Sequence, residues 1–477
     1  MIHRRRTYVA ALALVLLTSA AVPAAAKVKL SAIFADHMVL QRDREVPVWG
    51  WAAPGEAVHV RLDDQQQQTT ADADGHWKVQ LPSHAAGGPH QLVVEAGDNR
   101  RQIDDVYFGE VWVASGQSNM QFTLSKSVNS TTEIAAANWP QLRLFTVPMN
   151  AAAEPQNDCQ GQWQVCSPET VANFSAVGYF FGRDLYQALK VPVAILHTSW
   201  GGSSAEAWVS REALVSREEL KPTLERMGDK IPANHRATQL YNGMLAPIIP
   251  YGIRGAIWYQ GESNVGRAAQ YAVLFPALIQ DWRARWGEGD FPFYFVQLAP
   301  FRYGKADPEL CAELWDSQFK TLRTTPNTGM AVTTDITVLN NIHPPNKQDV
   351  GKRLALWALA KTYGRKKLVF SGPLYQSAEA EDGKLRIHFE DIGSGLATRD
   401  GQPPSEFTIA GADRKFVPAQ AKIDGDAVVV WSEAVAAPAA VRMGWHDTAQ
   451  PNLINREGLP ASPFRTDDWP LKTAGQY

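Results

Sequence analysis

Cysteine is scarce in this chain: 477 residues contain only Cys159, Cys166 and Cys311. So low a count excludes a disulfide framework as the source of stability. Cys159 and Cys166 flank Trp163, where an oxidising compartment would permit one bridge and leave Cys311 free. There is no CxxC, no HExxH and no close histidine pair, so no metal site is expected. Basic residues do not cluster beyond the first few positions and a short Arg365-Lys366-Lys367, and the formal net charge is −3. Nucleic acid is therefore not an expected partner, because neutralising phosphates takes grouped Lys and Arg. After residue 26 no stretch reaches the roughly 20 apolar residues of a membrane helix, which excludes a membrane anchor in the mature chain. Internal repeats and long low-complexity tracts are also lacking; residues 65–68, all Gln, read as a short polar turn.

What is present begins with Arg4-Arg5-Arg6, an apolar run over 8–17 and Ala24-Ala25-Ala26. That is the pattern of a secretory signal peptide, residues 1–26, cleaved after Ala26, and it implies a secreted or periplasmic protein. The length predicts two or three domains. Over 27–105 the apolar runs are short, at 48–51, 58–62, 77–81 and 91–96, with Pro54-Gly55, Asp74-Gly75 and Gly87-Gly88-Pro89 between them. Such spacing predicts a small N-terminal β-sandwich. A second β-rich module is expected over 368–477, with strands at 385–390, 406–410 and 427–431 and a turn at Asp424-Gly425-Asp426.

The middle, 106–367, differs in kind. Apolar runs at 111–114, 193–197, 255–259, 293–298 and 330–334 alternate with helical patterns. One such pattern is Tyr271, Leu274, Phe275, Leu278, Ile279, Trp282 and Trp286; another is Val350, Leu354, Trp357, Ala358 and Lys361. This alternation predicts an α/β domain around a parallel sheet. The 16 tryptophans tilt the expected ligand toward carbohydrate, since indole faces suit sugar rings.

Ligands of open α/β sheets bind at the carboxyl ends of the strands. There the chain places Gly116-Gln117-Ser118-Asn119, then Ser199-Trp200-Gly201-Gly202-Ser203-Ser204, then Gln260-Gly261-Glu262-Ser263-Asn264, and finally Asp335 followed by Asn340-Asn341-Ile342-His343-Pro344-Pro345. A hydroxyl, an imidazole, carboxylates, an amide and approachable backbone N–H groups form the inventory of acyl transfer. Each element also has a plainer reading. Ser118 could cap a helix, Gly201-Gly202 could be a simple turn, and Glu262 could be a first-turn carboxylate. His197 is a rival base, but its place inside an apolar run favours packing in the core.

The serine does not stand in a G-x-S-x-G elbow, because Met120 occupies the second glycine position. Gly116-Gln117-Ser118-Asn119-Met120, Ser199-Trp200-Gly201-Gly202, Trp258-Tyr259-Gln260-Gly261-Glu262-Ser263-Asn264 and Ile342-His343-Pro344, in that order, resemble the sialate O-acetylesterase family of the SGNH hydrolase superfamily. The resemblance extends to residues 29–52, which look like that family's N-terminal β module. It implies a flavodoxin-like α/β/α domain that removes acetyl groups from O-acetylated carbohydrate without metal or cofactor. Ser118 matches the nucleophile and His343 the base; Gly202, in preference to Gly201, and Gln260 match oxyanion donors alongside the Ser118 N–H. Gln117, Asn119, Trp200, Gly201 and Asn264 are the expected substrate contacts. Asn340 and Asn341 occupy the places where the superfamily usually carries its aspartate, so the acid of the triad is expected to be Asp335, with Glu262 as the alternative and a backbone carbonyl as the third choice.

Overall fold

In the computed structural model, which describes residues 27–225, 230–304 and 306–477, the expected strand at 106–114 is the inner part of a longer one, β1 (Asn99–Gly116). The expected signal segment lies outside these residues. The first half of β1 pairs antiparallel with Gly87–Ala96 and, at 107–109, parallel with Val39–Gln41. Ala57–Leu62 lies beyond Gly87–Ala96, and Lys29–Leu30, Val46–Trp51 and His76–Leu81 form a separate three-stranded sheet. Residues 65–68 are not the expected turn. They begin Gln65–Thr70, a strand paired with Ala57–Leu62 at the sheet's edge, where a largely exposed glutamine row faces water.

The second half of β1 belongs to the central sheet. The other strands of that sheet are β2 (Trp139–Thr146), β3 (Trp163–Cys166), β4 (Val193–Ser199), β5 (Gly255–Tyr259), β6 (Phe293–Val296) and β7 (Thr328–Ala331). Their order is β3-β2-β4-β1-β5-β6-β7, parallel throughout except for β3. Cys166 ends β3 as a buried free thiol, and Cys159 and Cys311 are also unpaired, so the permitted bridge is not formed.

Among the described residues, the helices around this sheet include α1 (Ser118–Gln121), α2 (Ala176–Leu189), α3 (Ala268–Trp286), α4 (Glu309–Thr324) and α5 (Lys347–Trp357). Neighbouring residues of β6 show how they divide. Tyr294 stacks on Trp112 and lies 6.4 Å from the Trp357 ring of α5, whereas Phe293 and Phe295 both meet Phe275 of α3. Successive strand side chains point to opposite faces, so α5 and α3 cover opposite sides of the sheet. Close approach of α2 to α5 depends on Gly351, where a Cβ would stand 2.6 Å from that of Phe180. The residues beyond 368 build two further four-stranded sheets around their own core, which includes Ile387, Ile409, Val428, Val441 and Phe464. Ten of the 16 tryptophans are buried, so the tryptophan count reflects core packing more than sugar recognition.

The two halves of β1 meet at Glu110. Its buried carboxylate accepts from Arg42 Nε (2.5 Å) of the N-terminal part, from Arg254 Nε (2.7 Å) beside β5, and from the Tyr363 hydroxyl (3.0 Å) beyond α5. Burial raises the pKa of Glu110, but the Arg254 and Arg42 guanidiniums outweigh it and hold the carboxyl below its ordinary value. A depressed folded pKa contributes stability above the unfolded value, near 4.5, and loses it as pH falls through the folded value. Glu110→Gln is expected to lower stability by about 3–5 kcal/mol at pH 7. In urea titrations at several pH values, its deficit against the wild type should shrink as the pH is taken below that range.

Candidate active site

Ser118 is the first residue of α1, immediately beyond the end of β1, with Gln117 at the N-cap position. Because Ser118 is a helical residue and not the N-cap, capping does not account for a serine here. The turn is made by backbone. Gly116 has φ +138°, and the Gln117 N–H donates to the Tyr259 carbonyl at the end of β5 (3.0 Å). From the β4 end, Trp200 N–H donates to the Gly116 carbonyl (3.1 Å). Gly201 lies beside the serine, where a Cβ would stand 3.5 Å from that of Ser118, and its N–H is held by Gln121 Oε1 at 2.8 Å.

His343 reaches the same point from the loop before α5. Its Nε2 lies 2.8 Å from Ser118 Oγ, and its backbone N–H donates to Asn341 Oδ1 at 3.0 Å. The pair opens on a cleft of about 470 Å³, lined also by Gln121, Phe122, Thr123, Lys126 and Asn341. A larger cleft of about 700 Å³ lies on the C-terminal module beside Pro404 and Trp431, but no nucleophile and base meet in it. Chemistry, rather than size, therefore selects the site. His197, the rival base, is buried in β4 with Nε2 2.6 Å from Ser199 Oγ, and burial pushes its pKa down to about 4.

Several expected residues are turned elsewhere. Asp335 does not face His343: both carboxylate oxygens accept from Arg353 of α5 at 2.7 Å, and the same guanidinium holds the Val332 carbonyl. The helix after His343 captures the acid that was expected to orient its ring. Glu262 is half-buried; its Oε1 accepts from Asn119 Nδ2 at 2.6 Å, again not from the imidazole, and its enclosed Oε2 has no partner among the described residues. No carboxylate of the described residues is hydrogen-bonded to His343. Gln260 is fully buried; its Nε2 donates to the Ser203 carbonyl (3.1 Å) and Asn264 Oδ1 (2.7 Å), so both amide hydrogens are committed away from Ser118. This corrects its expected place as an oxyanion donor.

Gln117, Asn119 and Asn264 are likewise buried structural amides rather than exposed contacts. Gln117 Oε1 accepts from Gly261 N–H (3.3 Å), and Asn264 bridges Ala205 N–H and Glu206. Trp200 and Gly201 are partly open, as is Gly202, whose φ of +71° lies in the left-handed region that favours glycine. Among the described residues the Gly202 N–H donates to no protein acceptor.

Residues 108–360 match the carbohydrate esterase family described as sialic acid-specific acetylesterase. The chain belongs to that family. Sialate O-acetylesterase of Homo sapiens is 32% identical over 397 residues, covering 74% of this chain and 75% of the human protein. The Mus musculus enzyme of the same name is 31% identical over 419 residues, 74% of this chain and 77% of its own. A crystal structure of a carbohydrate acetylesterase from Xanthomonas citri aligns with a TM-score of 0.86 and 44% identity, covering 93% of this chain and 100% of that one. Membership of the sialic acid-specific acetylesterases makes the chain a carboxylic ester hydrolase of the carbohydrate esterase kind.

Sequence reading missed two lysines at this candidate site. Lys126 is exposed on the cleft wall, while Lys347 is fully buried behind it. The pattern Lys347, Val350, Leu354, Trp357 places Lys347 on the inward stripe of α5, a signal that the sequence did contain. Burial and the charges of Lys347 and Lys126 together hold the His343 pKa below its ordinary value. The imidazole thus stays neutral, and able to accept a proton, to lower pH than a free histidine. Lys126→Gln should move the acid limb of kcat/KM to higher pH, because one of the cations opposing imidazolium is gone; an unmoved limb would contradict this. Asp335→Asn should leave that limb in place and cost about 1–3 kcal/mol of stability through its broken Arg353 pair, read by denaturant unfolding.

Proposed function

We propose that this carbohydrate esterase is an exported serine O-acetylesterase, acting through an acetyl-enzyme at Ser118 on sugars of the sialate type. The observation that carries the reading is the 2.8 Å Ser118 Oγ to His343 Nε2 hydrogen bond at an open cleft, in a member of an acetylesterase family. Ser118 Oγ attacks the acetyl carbonyl while His343 Nε2 takes its proton; the same proton passes to the departing sugar oxygen. Water, deprotonated by His343, then attacks the acetyl carbonyl, releasing acetate and restoring Ser118. The oxyanion of each tetrahedral intermediate is received by the Ser118 N–H, one of the first helical N–H groups without an intrahelical partner, and by the Gly202 N–H. With Asp335 paired to Arg353, and no carboxylate of the described residues hydrogen-bonded to His343, we read the base as a Ser–His pair without an orienting carboxylate.

The remaining assignments follow the same reading. Leaving aside the outer pair β3-β2, the strand order β4-β1-β5-β6-β7 is 2-1-3-4-5 in chain order, which supports a flavodoxin-like description of the middle domain. We place its borders at 106 and 367, between an N-terminal module at 27–105 and a C-terminal module at 368–477. Residues 1–26 are the export signal.

Ser118→Ala should lower kcat by several orders of magnitude with unchanged circular dichroism and melting temperature. Turnover retained by the variant would move the nucleophile elsewhere. Acetate release from O-acetylated sialic acid, acetylxylan and acetylated xyloglucan, measured side by side, decides the substrate; a preference for either plant polysaccharide would overturn the sialate assignment.

A further inference from the structure

Behind Ser118 and His343 lies a buried polar group built from Asn119, Glu262 and Lys347. Asn119 directly follows Ser118, and Lys347 opens α5 four residues after His343. Asn119 Oδ1 accepts from Lys347 Nζ, while its Nδ2 donates to the Ile342 carbonyl at 3.0 Å and to Glu262 Oε1 at 2.6 Å. The Ile342 carbonyl belongs to the residue immediately before His343. One side chain therefore ties the nucleophile's turn to the base's loop.

An amide can occupy such a place in two orientations, and here the cation on one side and two acceptors on the other favour the same one. In the observed orientation the oxygen meets an ammonium and the NH₂ group meets two acceptors. Flipped by 180°, the NH₂ would face the ammonium, and the oxygen would face a carbonyl and a carboxylate, an arrangement repulsive at every contact. Without the ammonium, Oδ1 loses its partner, so the amide is held from its NH₂ side alone and the tie to Ile342 is less rigid. Lys347 is itself enclosed: Nζ lies 5.0 Å from the ring centroid of Phe122 and 5.1 Å from that of Tyr259. Burial pushes its pKa down to about 7, partly offset by Glu262, and burial in turn raises the pKa of Glu262. So costly a buried charge calls for a role.

We propose that Lys347 is a positioning residue of the esterase site, orienting the Asn119 amide so that it clamps the Ser118 turn to the His343 loop. The proposal rests on the Ser118–His343 reading above. Two variants separate the parts of the clamp. Lys347→Met keeps a long apolar stem and removes the cation. Asn119→Asp keeps the shape and the partner for Lys347, but it cannot donate to Ile342.

Active sites are counted by stoichiometric labelling with a fluorophosphonate, mapped to its peptide, and kcat is expressed per labelled site. Labelling of the wild type away from Ser118 would sink the underlying reading rather than the clamp. With Ser118 labelled, both variants should show kcat per site reduced about 10- to 100-fold, the effect of a reacting pair displaced by about 1 Å, with KM within twofold of wild type. Wild-type kcat per site in either folded variant overturns the proposal. So does failure of both to fold, since that would make the cluster a support of the fold alone.

Discussion

The close crossing of two strand ends at Gly116 is the constraint on which the site depends. A side chain at this position would place its first carbon 2.2 Å from the Tyr259 carbonyl, so only glycine lets β1 and β5 end together. With that contact made, backbone bonds from Gln117 to Tyr259 and from Trp200 to Gly116 gather the ends of β1, β4 and β5 at one point. Ser118 stands next to it on a scaffold bonded on both sides. Its position owes little to loop side chains, and the histidine is brought to it by a different segment. This division explains why a clamp between the two segments matters more than any further ligand to the serine.

The electrostatics of the cleft bear directly on the base proposed at His343. Two ammonium groups act on the imidazole, and no carboxylate of the described residues is bonded to it. The field resists imidazolium, which keeps the base neutral, and it favours the negative charge that develops on an ester oxygen during attack. A carboxylate partner would have reversed the first effect. Here Arg353 holds both carboxylate oxygens of Asp335, and Asn119 holds one oxygen of Glu262.

The sequence made the central sheet legible because strands covered on both faces show as short continuous apolar runs; β5 coincides with the run at 255–259. The α3 helix was equally plain from the spacing of Tyr271 through Trp286. Strands at the rim were not. In β2 the run is broken by Pro140 and Arg143, and Gln65–Thr70 has no apolar residue to announce it. The positions of Ser118 and His343 could be read because strand ends collect chemistry. Their surroundings could not, because the partner of a carboxylate is set by packing: Asp335 and Arg353 are 18 residues apart and meet only when α5 lies against the chain leaving β7. Similarly, a lysine at the start of a helix looks solvated until the helix is docked.

The burial of the indoles has an optical consequence. Trp112, Trp208, Trp258, Trp282 and Trp315 are fully enclosed, whereas Trp200 is partly open at the glycine loop beside Ser118. Indole emission shifts to the red with the polarity and mobility around the ring, so the native spectrum will be dominated by blue-shifted core emitters. A sugar entering the cleft would perturb little of that light. Unfolding would redden most of it at once, which makes intrinsic fluorescence a faithful gauge of folding and a poor one of occupancy.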